Sequence, residues 1–147
     1  MSQKPFYVDS CIWLNLWKKE GDATKGIPYW KIAKDFIERI MFSEHEEIIY
    51  SGFILKELKY KLDEATFNEK LLFFQNEEKI HFVKATEDDY SFARKLESES
   101  QYEISFFDCL HIAVCKRLNL MLVTRDDDLI EFAREYIEAE KPEKISA

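Results

Sequence analysis

One stretch restricts the fold more than any other: Ser105-Phe106-Phe107-Asp108-Cys109-Leu110-His111-Ile112-Ala113-Val114-Cys115, running on into Met121-Leu122-Val123-Thr124-Arg125-Asp126-Asp127-Asp128. Phe107, Leu110, Ile112, Ala113, Val114 and Leu118 fall at helical spacing and make a wide apolar face. Ser105 is placed as the N-cap, with Asp108 three residues on as its capping-box partner or as a site residue. Asn119 is a helix stop, and Met121 to Thr124, four residues with no charge, predict a short buried strand. In an open parallel sheet the carboxyl end of a strand faces the ligand crevice. The run of acids after Thr124 is therefore in a functional location, and Asp108 and Asp126 are expected to meet.

The rest of the chain alternates in the same way. Phe6-Tyr7-Val8 predicts a buried strand ending at Asp9-Ser10, followed by a helix over Ile12, Trp13, Leu14, Leu16 and Trp17 that Gly21 ends. Asp9 or Ser10 also suits a helix N-cap. Tyr29 to Phe42 is amphipathic; Ile48-Ile49-Tyr50-Ser51 is a second strand, leading into a helix that carries Glu57 in its second turn. A helix over Phe67 to Phe74, a third strand Ile80-His81-Phe82-Val83, and a helix opened by Thr86 and Asp89 at capping-box spacing lead back to the stretch above. A last helix is expected from about Asp128 to Ile137. The tail, residues 139–147, is mostly polar and expected to fray, with Lys144-Ile145-Ser146 a feeble fifth strand. Strands alternating with helices predict an α/β fold: a largely parallel sheet of four or five strands with helices on both faces. At 147 residues, without a Gly/Ser/Pro-rich linker, one domain over 1–147 is expected.

Four carboxylates converge in that arrangement. Asp9 and Asp126 follow strands, Asp108 opens a helix, and Glu57 lies one turn beyond the second strand. Gathering them without a cation is costly through like-charge repulsion. Hard oxygen donors in that number suit Mg²⁺ or Mn²⁺. No His/Cys constellation suggests zinc. His111 shares the helical face of Asp108, which suits a ligand or base. Arg125 is placed to contact a phosphate or to pair with Asp127.

The order Tyr7-Val8-Asp9-Ser10, Ser51 with Glu57, Phe107-Asp108-Cys109-Leu110-His111-Ile112-Ala113 and Leu122-Val123-Thr124-Arg125-Asp126-Asp127-Asp128-Leu129 resembles PIN-domain ribonucleases, the VapC-like toxins above all. The resemblance spans nearly the whole chain. It implies a three-layer α/β/α fold and a catalytic, metal-holding quartet of Asp9, Glu57, Asp108 and Asp126. Asp128 matches a fifth, more variable acid, and Thr124 a supporting hydroxyl, with Ser10 beside it. Leu129 replaces a frequent Phe, and the family's final strand is hard to find; because similar sequences often carry an aliphatic residue or His at position 111, the resemblance implies a structural His111. The activity implied is Mg²⁺- or Mn²⁺-dependent endoribonucleolytic hydrolysis by the toxin of a toxin–antitoxin pair. The partners implied are RNA, a small antitoxin and a second copy in a homodimer.

A net charge of −8 argues against broad attraction to nucleic acid, but a cation bound among the acids dominates its local field. Cys11, Cys109 and Cys115, odd in number and without CxxC spacing, predict free thiols and suit a reducing cytoplasm. Neither a signal-peptide core nor a membrane-length apolar run is present in the sequence. Twelve Phe, seven Tyr and three Trp exceed what one core needs. Ile12, Trp13, Leu16 and Trp17, and Trp30 with Phe36, are therefore candidate partner surfaces, or simply cover for the sheet. Two other readings compete. One is a catalytically silent interaction or RNA-binding module of the same fold, against which the intact quartet argues. The other is an acid-site phosphohydrolase: a haloacid-dehalogenase-like enzyme would need an aspartate at position 11, where Cys11 stands, and a receiver domain a strand-end lysine that is not found.

Overall fold

The computed structural model describes residues 4–145. Five parallel strands, β1 (Phe6–Val8), β2 (Ile48–Ser51), β3 (Ile80–Val83), β4 (Met121–Val123) and β5 (Ala139–Glu140), line up in the order β3-β2-β1-β4-β5. Seven helices cover the sheet on both faces: α1 (Ser10–Trp17), α2 (Tyr29–Phe42), α3 (Gly52–Lys61), α4 (Glu64–Asn76), α5 (Glu87–Glu99), α6 (Phe106–Leu118) and α7 (Asp127–Ala133). This is the three-layer α/β/α arrangement expected. All residues of β1 and β2 are buried, as the uninterrupted apolar runs require for strands covered on both faces, whereas the edge strand β3 exposes His81 and Phe82.

The topology places the site. The chain steps from β1 outward to β2 and β3, then returns through α5 and α6 to lay β4 on the free side of β1. The carboxyl ends of β1 and β4 thus flank a switch point, where a crevice opens in parallel sheets. The ladder continues past β1, because the Asp9 amide donates to the Val123 carbonyl at 2.9 Å. Helix α6 begins and ends as its sequence dictates. The Ser105 hydroxyl accepts from the Asp108 amide, and Asn119 takes a left-handed conformation (φ 56°) at the C-cap.

Three expectations are corrected. The fifth strand is Ala139–Glu140, paired with Leu122 and Val123; Pro142–Lys144 is a 3₁₀ turn, and Ser146 lies outside the described residues. The segment 139–145 does not fray. Pro142 is buried, Lys141 pairs with Asp127 at 2.8 Å, and Arg39 donates to the Ile145 carbonyl at 3.0 Å; residues 146–147 lie outside the described part. The last helix stops at Ala133, short of Ile137. The aromatic helices are also mostly core: Ile12 and Trp13 are fully buried, Phe36 is buried, and Leu16, Trp17 and Trp30 are half-buried. Trp13 stacks on Trp17 at 5.2 Å and meets Phe74 edge-on at 4.8 Å, so this cluster joins α1 to α4. Covering both faces of the sheet uses these rings. Apart from Phe73 at the margin of this cluster, large exposed rings lie elsewhere, among them Phe42, Tyr60, Tyr90 and Phe107. No helix among the described residues is long and apolar enough to cross a membrane.

Candidate active site

Asp9 caps α1 at the end of β1, in extended conformation, and is only 6% exposed. Its Oδ1 accepts from the Ser10 amide at 2.8 Å, and its Oδ2 accepts from the Thr124 hydroxyl at 2.8 Å. Thr124 is fully buried at the end of β4, and its amide donates to the Glu140 carbonyl, so the two-residue β5 steadies the hydroxyl that holds Asp9. The same hydroxyl accepts from the Asp126 amide at 3.3 Å. Asp126 caps α7, its Oδ1 accepting from the Asp128 and Leu129 amides at 3.1 Å. Thr124 therefore links the first and last acids of the expected quartet.

Glu57 reaches in from α3. Its Oε2 accepts from the Ser10 hydroxyl at 3.1 Å, and its Oε1 lies 2.7 Å from His111 Nε2. His111, on α6, is fully buried; its Nδ1 is 2.6 Å from the Tyr7 hydroxyl, which is 2.7 Å from Ser51 Oγ. His111 Nε2 is also 3.9 Å from Asp9 Oδ1. A buried column Ser51–Tyr7–His111–Glu57 thus crosses from β2 through β1 and α6 to α3. Either form of the ring satisfies it. As the imidazolium, His111 donates to Tyr7 and Glu57, and Tyr7 donates to Ser51; as the neutral Nε2–H tautomer, Tyr7 donates to His111 instead.

The electrostatics follow from crowding. Burial raises the pKa of Asp9 above the carboxylate range; His111 opposes this, and Glu57 adds to it. Asp108 is pushed up to about 6, first by burial and then by the charge of Asp9, with Glu57 and Asp126 adding and His111 opposing. Burial alone would lower His111, but the Glu57 hydrogen bond and the charges of Asp9, Glu57 and Asp108 outweigh it, and its pKa is raised. One histidine side chain faces three acids. Carboxylate oxygens of Asp9 and Glu57 and a His111 nitrogen lie within 4.8 Å of one another, a spacing suited to a small cation. Both His111 nitrogens are already engaged, which leaves oxygen as the available donor and fits Mg²⁺ or Mn²⁺.

The sequence-derived residues divide accordingly. Asp9, Glu57, Asp108 and Asp126 share one electrostatic neighbourhood, and Ser10 and Thr124 support it. Asp128 is exposed, with its amide serving Asp126. Arg125 pairs with Glu143 rather than Asp127, and its guanidinium lies 4.2 Å from the Tyr29 ring centroid; Asp127 pairs with Lys141 instead. Sequence reasoning gave His111 a bland role and passed over Tyr7 as a site residue. The available signals were position: His111 is one turn from Asp108, and Tyr7 is two residues from Asp9 along a strand.

The pKa directions predict a pH dependence. Asp9 and Asp108 each carry a cost that appears as pH rises from the unfolded carboxylate value, about 4, to the raised folded value. His111 contributes stability that is complete below about 6.5 and is lost as pH rises through its folded value. All three have the same sign. Metal-free protein should therefore melt at a higher temperature near pH 5 than near pH 8, and Mn²⁺, competing with protons for the same oxygens, should raise melting most near pH 8. Calorimetry at the two pH values checks this; a metal-free melting temperature that climbs from pH 5 to pH 8 contradicts it.

The sequence model of one family, the PIN domain, matches residues 6–135. The chain belongs to the PIN domain family. No curated protein matches it in sequence. Several solved structures share the PIN fold with it at low identity. VapBC2 from Rickettsia felis, bound to a DNA fragment from its promoter, is 18% identical, with a TM-score of 0.66 over 93% of this chain and 98% of that one. A toxin–antitoxin complex from Klebsiella pneumoniae is 16% identical, with a TM-score of 0.62 over 97% and 100%. VapC20 from Mycobacterium tuberculosis, a toxin that cleaves the sarcin-ricin loop, is 21% identical, with a TM-score of 0.64 over 90% and 97%. At these identities the likeness is one of fold. In this PIN domain the buried Asp9–Thr124 contact and the His111 column occupy the switch point described above.

Proposed function

We propose that this PIN domain is a metal-dependent endoribonuclease, the toxin of a toxin–antitoxin pair, with Asp9, Glu57, Asp108 and Asp126 as the catalytic and metal-holding acids. The observation that carries the reading is the crowding at Asp108, whose carboxyl is pushed up to about 6 by burial and by the other three acids. Such a cluster resists full ionisation until a cation enters. A divalent ion held there supplies Lewis-acid polarisation of a phosphoryl oxygen and a lower pKa for an attacking water. The chain's own residues do the rest. Ser10 and Thr124 fix the Asp9 carboxylate, and the His111 column and the Ser10 hydroxyl fix Glu57. Asp126 is oriented by the α7 amides, and Asp108 joins the set from the first turn of α6.

The fold neighbours from Rickettsia felis and Klebsiella pneumoniae support an antitoxin partner, and the neighbour that cleaves the sarcin-ricin loop supports RNA as substrate. An antitoxin that presents a basic or amide side chain to the acids would compete with Mn²⁺. We also keep the homodimer as part of the proposal, as well as a single domain and cytoplasmic residence. Arg125, committed to Glu143, is a poor phosphate contact unless that pair opens.

The test is cleavage of end-labelled RNA by the purified chain, expected with Mn²⁺ or Mg²⁺ and lost with EDTA. Glu57→Gln should weaken Mn²⁺ binding by about tenfold in calorimetry, as removal of one charged oxygen ligand implies. Glu64→Gln, an exposed acid in the first turn of α4, should leave it unchanged. Equal effects of the two substitutions would remove Glu57 from the site, and cleavage that survives EDTA would remove the metal.

A further inference from the structure

Beside the acids lies a group of aromatic rings that the proposed chemistry does not use. Phe53, one turn before Glu57 on α3, packs on Phe107 (5.6 Å between centroids) and meets Tyr90 of α5 edge-on at 5.9 Å. Tyr90 stacks on Phe106 at 6.4 Å. Phe107 immediately precedes Asp108 in the first turn of α6, so the rings begin where the acids end. Two cations flank them: Lys56 Nζ is 5.9 Å from the Phe107 centroid, and Arg94 Cζ is 4.9 Å from that of Phe106. Among the described residues neither cation has a carboxylate within ion-pair distance.

We infer that Phe107, Tyr90 and Phe53, with Lys56 and Arg94, form a platform for unpaired RNA nucleotides beside the cleaved phosphate; this rests on the ribonuclease reading. The rings are not simply core. Phe107 is 41% exposed and Tyr90 39%, whereas the Trp13 and Phe74 rings that join α1 to α4 are buried. Exposed aromatic faces stack on bases, and they do so only when those bases are out of a duplex. Positive groups at the margin pair with phosphates on either side. On a chain of net charge −8, two unpaired cations placed at the edge of an acidic cluster give a polyanion its local foothold. The complementarity favours a nucleic acid over a second copy of this acidic chain.

The test is fluorescence anisotropy with a labelled oligouridylate in excess EDTA, which measures binding without cleavage. Phe107→Ala should weaken binding by about tenfold, and Phe107→Trp should restore it. Lys56→Ala and Arg94→Ala, both at exposed positions, should weaken binding and flatten its salt dependence; they carry the test if Phe107→Ala does not fold. Phe42→Ala, at an exposed ring just before β2 and so toward the amino ends of the strands, away from the acids at their carboxyl ends, should bind as the parent does. Parent-like binding by Phe107→Ala and by both cation variants overturns the platform and leaves the nuclease reading standing. A platform-dependent affinity in a protein that never cleaves RNA with Mn²⁺ supports the platform and removes the nuclease. If sedimentation shows that Phe107→Ala turns a dimer into a monomer while oligouridylate affinity holds, the face belongs to self-association and the inference fails.

Discussion

Asp9→Asn is expected to lower metal-dependent RNA cleavage by roughly a thousandfold or more, the scale of removing a preorganised electrostatic group from a reaction centre. The substitution keeps the shape of the side chain. Its amide oxygen still accepts from the Ser10 amide, and its NH₂ donates to the Thr124 hydroxyl, which reverses roles by rotating. What is lost is a charge held at 6% exposure among other acids. Repulsion on Asp108 falls, so its carboxyl should titrate below its present value of about 6, and the metal-free protein should melt no lower than the parent. Activity and stability move in opposite directions. Cleavage assays with saturating Mn²⁺ and a thermal melt read both, and full cleavage by the variant would show that Asp9 is not part of the machinery.

His111→Ala should have the largest effect on stability. The residue is fully buried, and both of its nitrogens are bonded. Removing it opens a cavity and leaves the Tyr7 hydroxyl with only Ser51, at a combined cost of about 3 kcal/mol, or near 10 °C in melting temperature for a chain of this size. Glu57 also loses the partner that fixes its Oε1. A purely structural histidine predicts lost stability with unchanged metal affinity; a histidine that positions Glu57 predicts that Mn²⁺ binding weakens too, at a temperature where the variant is folded. His111→Gln, whose amide can still donate to Glu57, should recover part of the metal affinity. Parent-like Mn²⁺ binding by folded His111→Ala would reduce the histidine to packing.

The parts of this architecture with short-range causes could be seen in the sequence. The caps Ser105 and Thr86, the stop at Asn119 and the buried runs of β1, β2 and β4 depend on neighbours within a turn or a strand, and they placed Asp9, Asp108 and Asp126 at element ends. Three features have long-range causes and were hidden. The Tyr7–His111 contact joins residues 104 positions apart, and from Tyr7 alone its hydroxyl looks like one more strand aromatic. Strand β5 is two residues long and exists because β4 offers it a free edge, which no local propensity records. Ile12 and Trp13 formed an apolar face whose occupant depended on where α4 would lie. Phe74 supplies it, so a suspected interface became core.

The central position of β1 has a consequence for when this protein becomes itself during synthesis. Strand β1 must wait for β4, more than a hundred residues later in the chain, before it is flanked on both sides. Contacts of such long sequence separation form slowly, because the chain loses loop entropy before they reward it. A nascent chain that displays Asp9, Glu57 and Asp108 has neither the hydroxyl of Thr124 nor Asp126. Catalytic competence in the proposed nuclease would thus wait for β4 and the turn that follows it, and no shorter nascent chain would carry the complete set of acids.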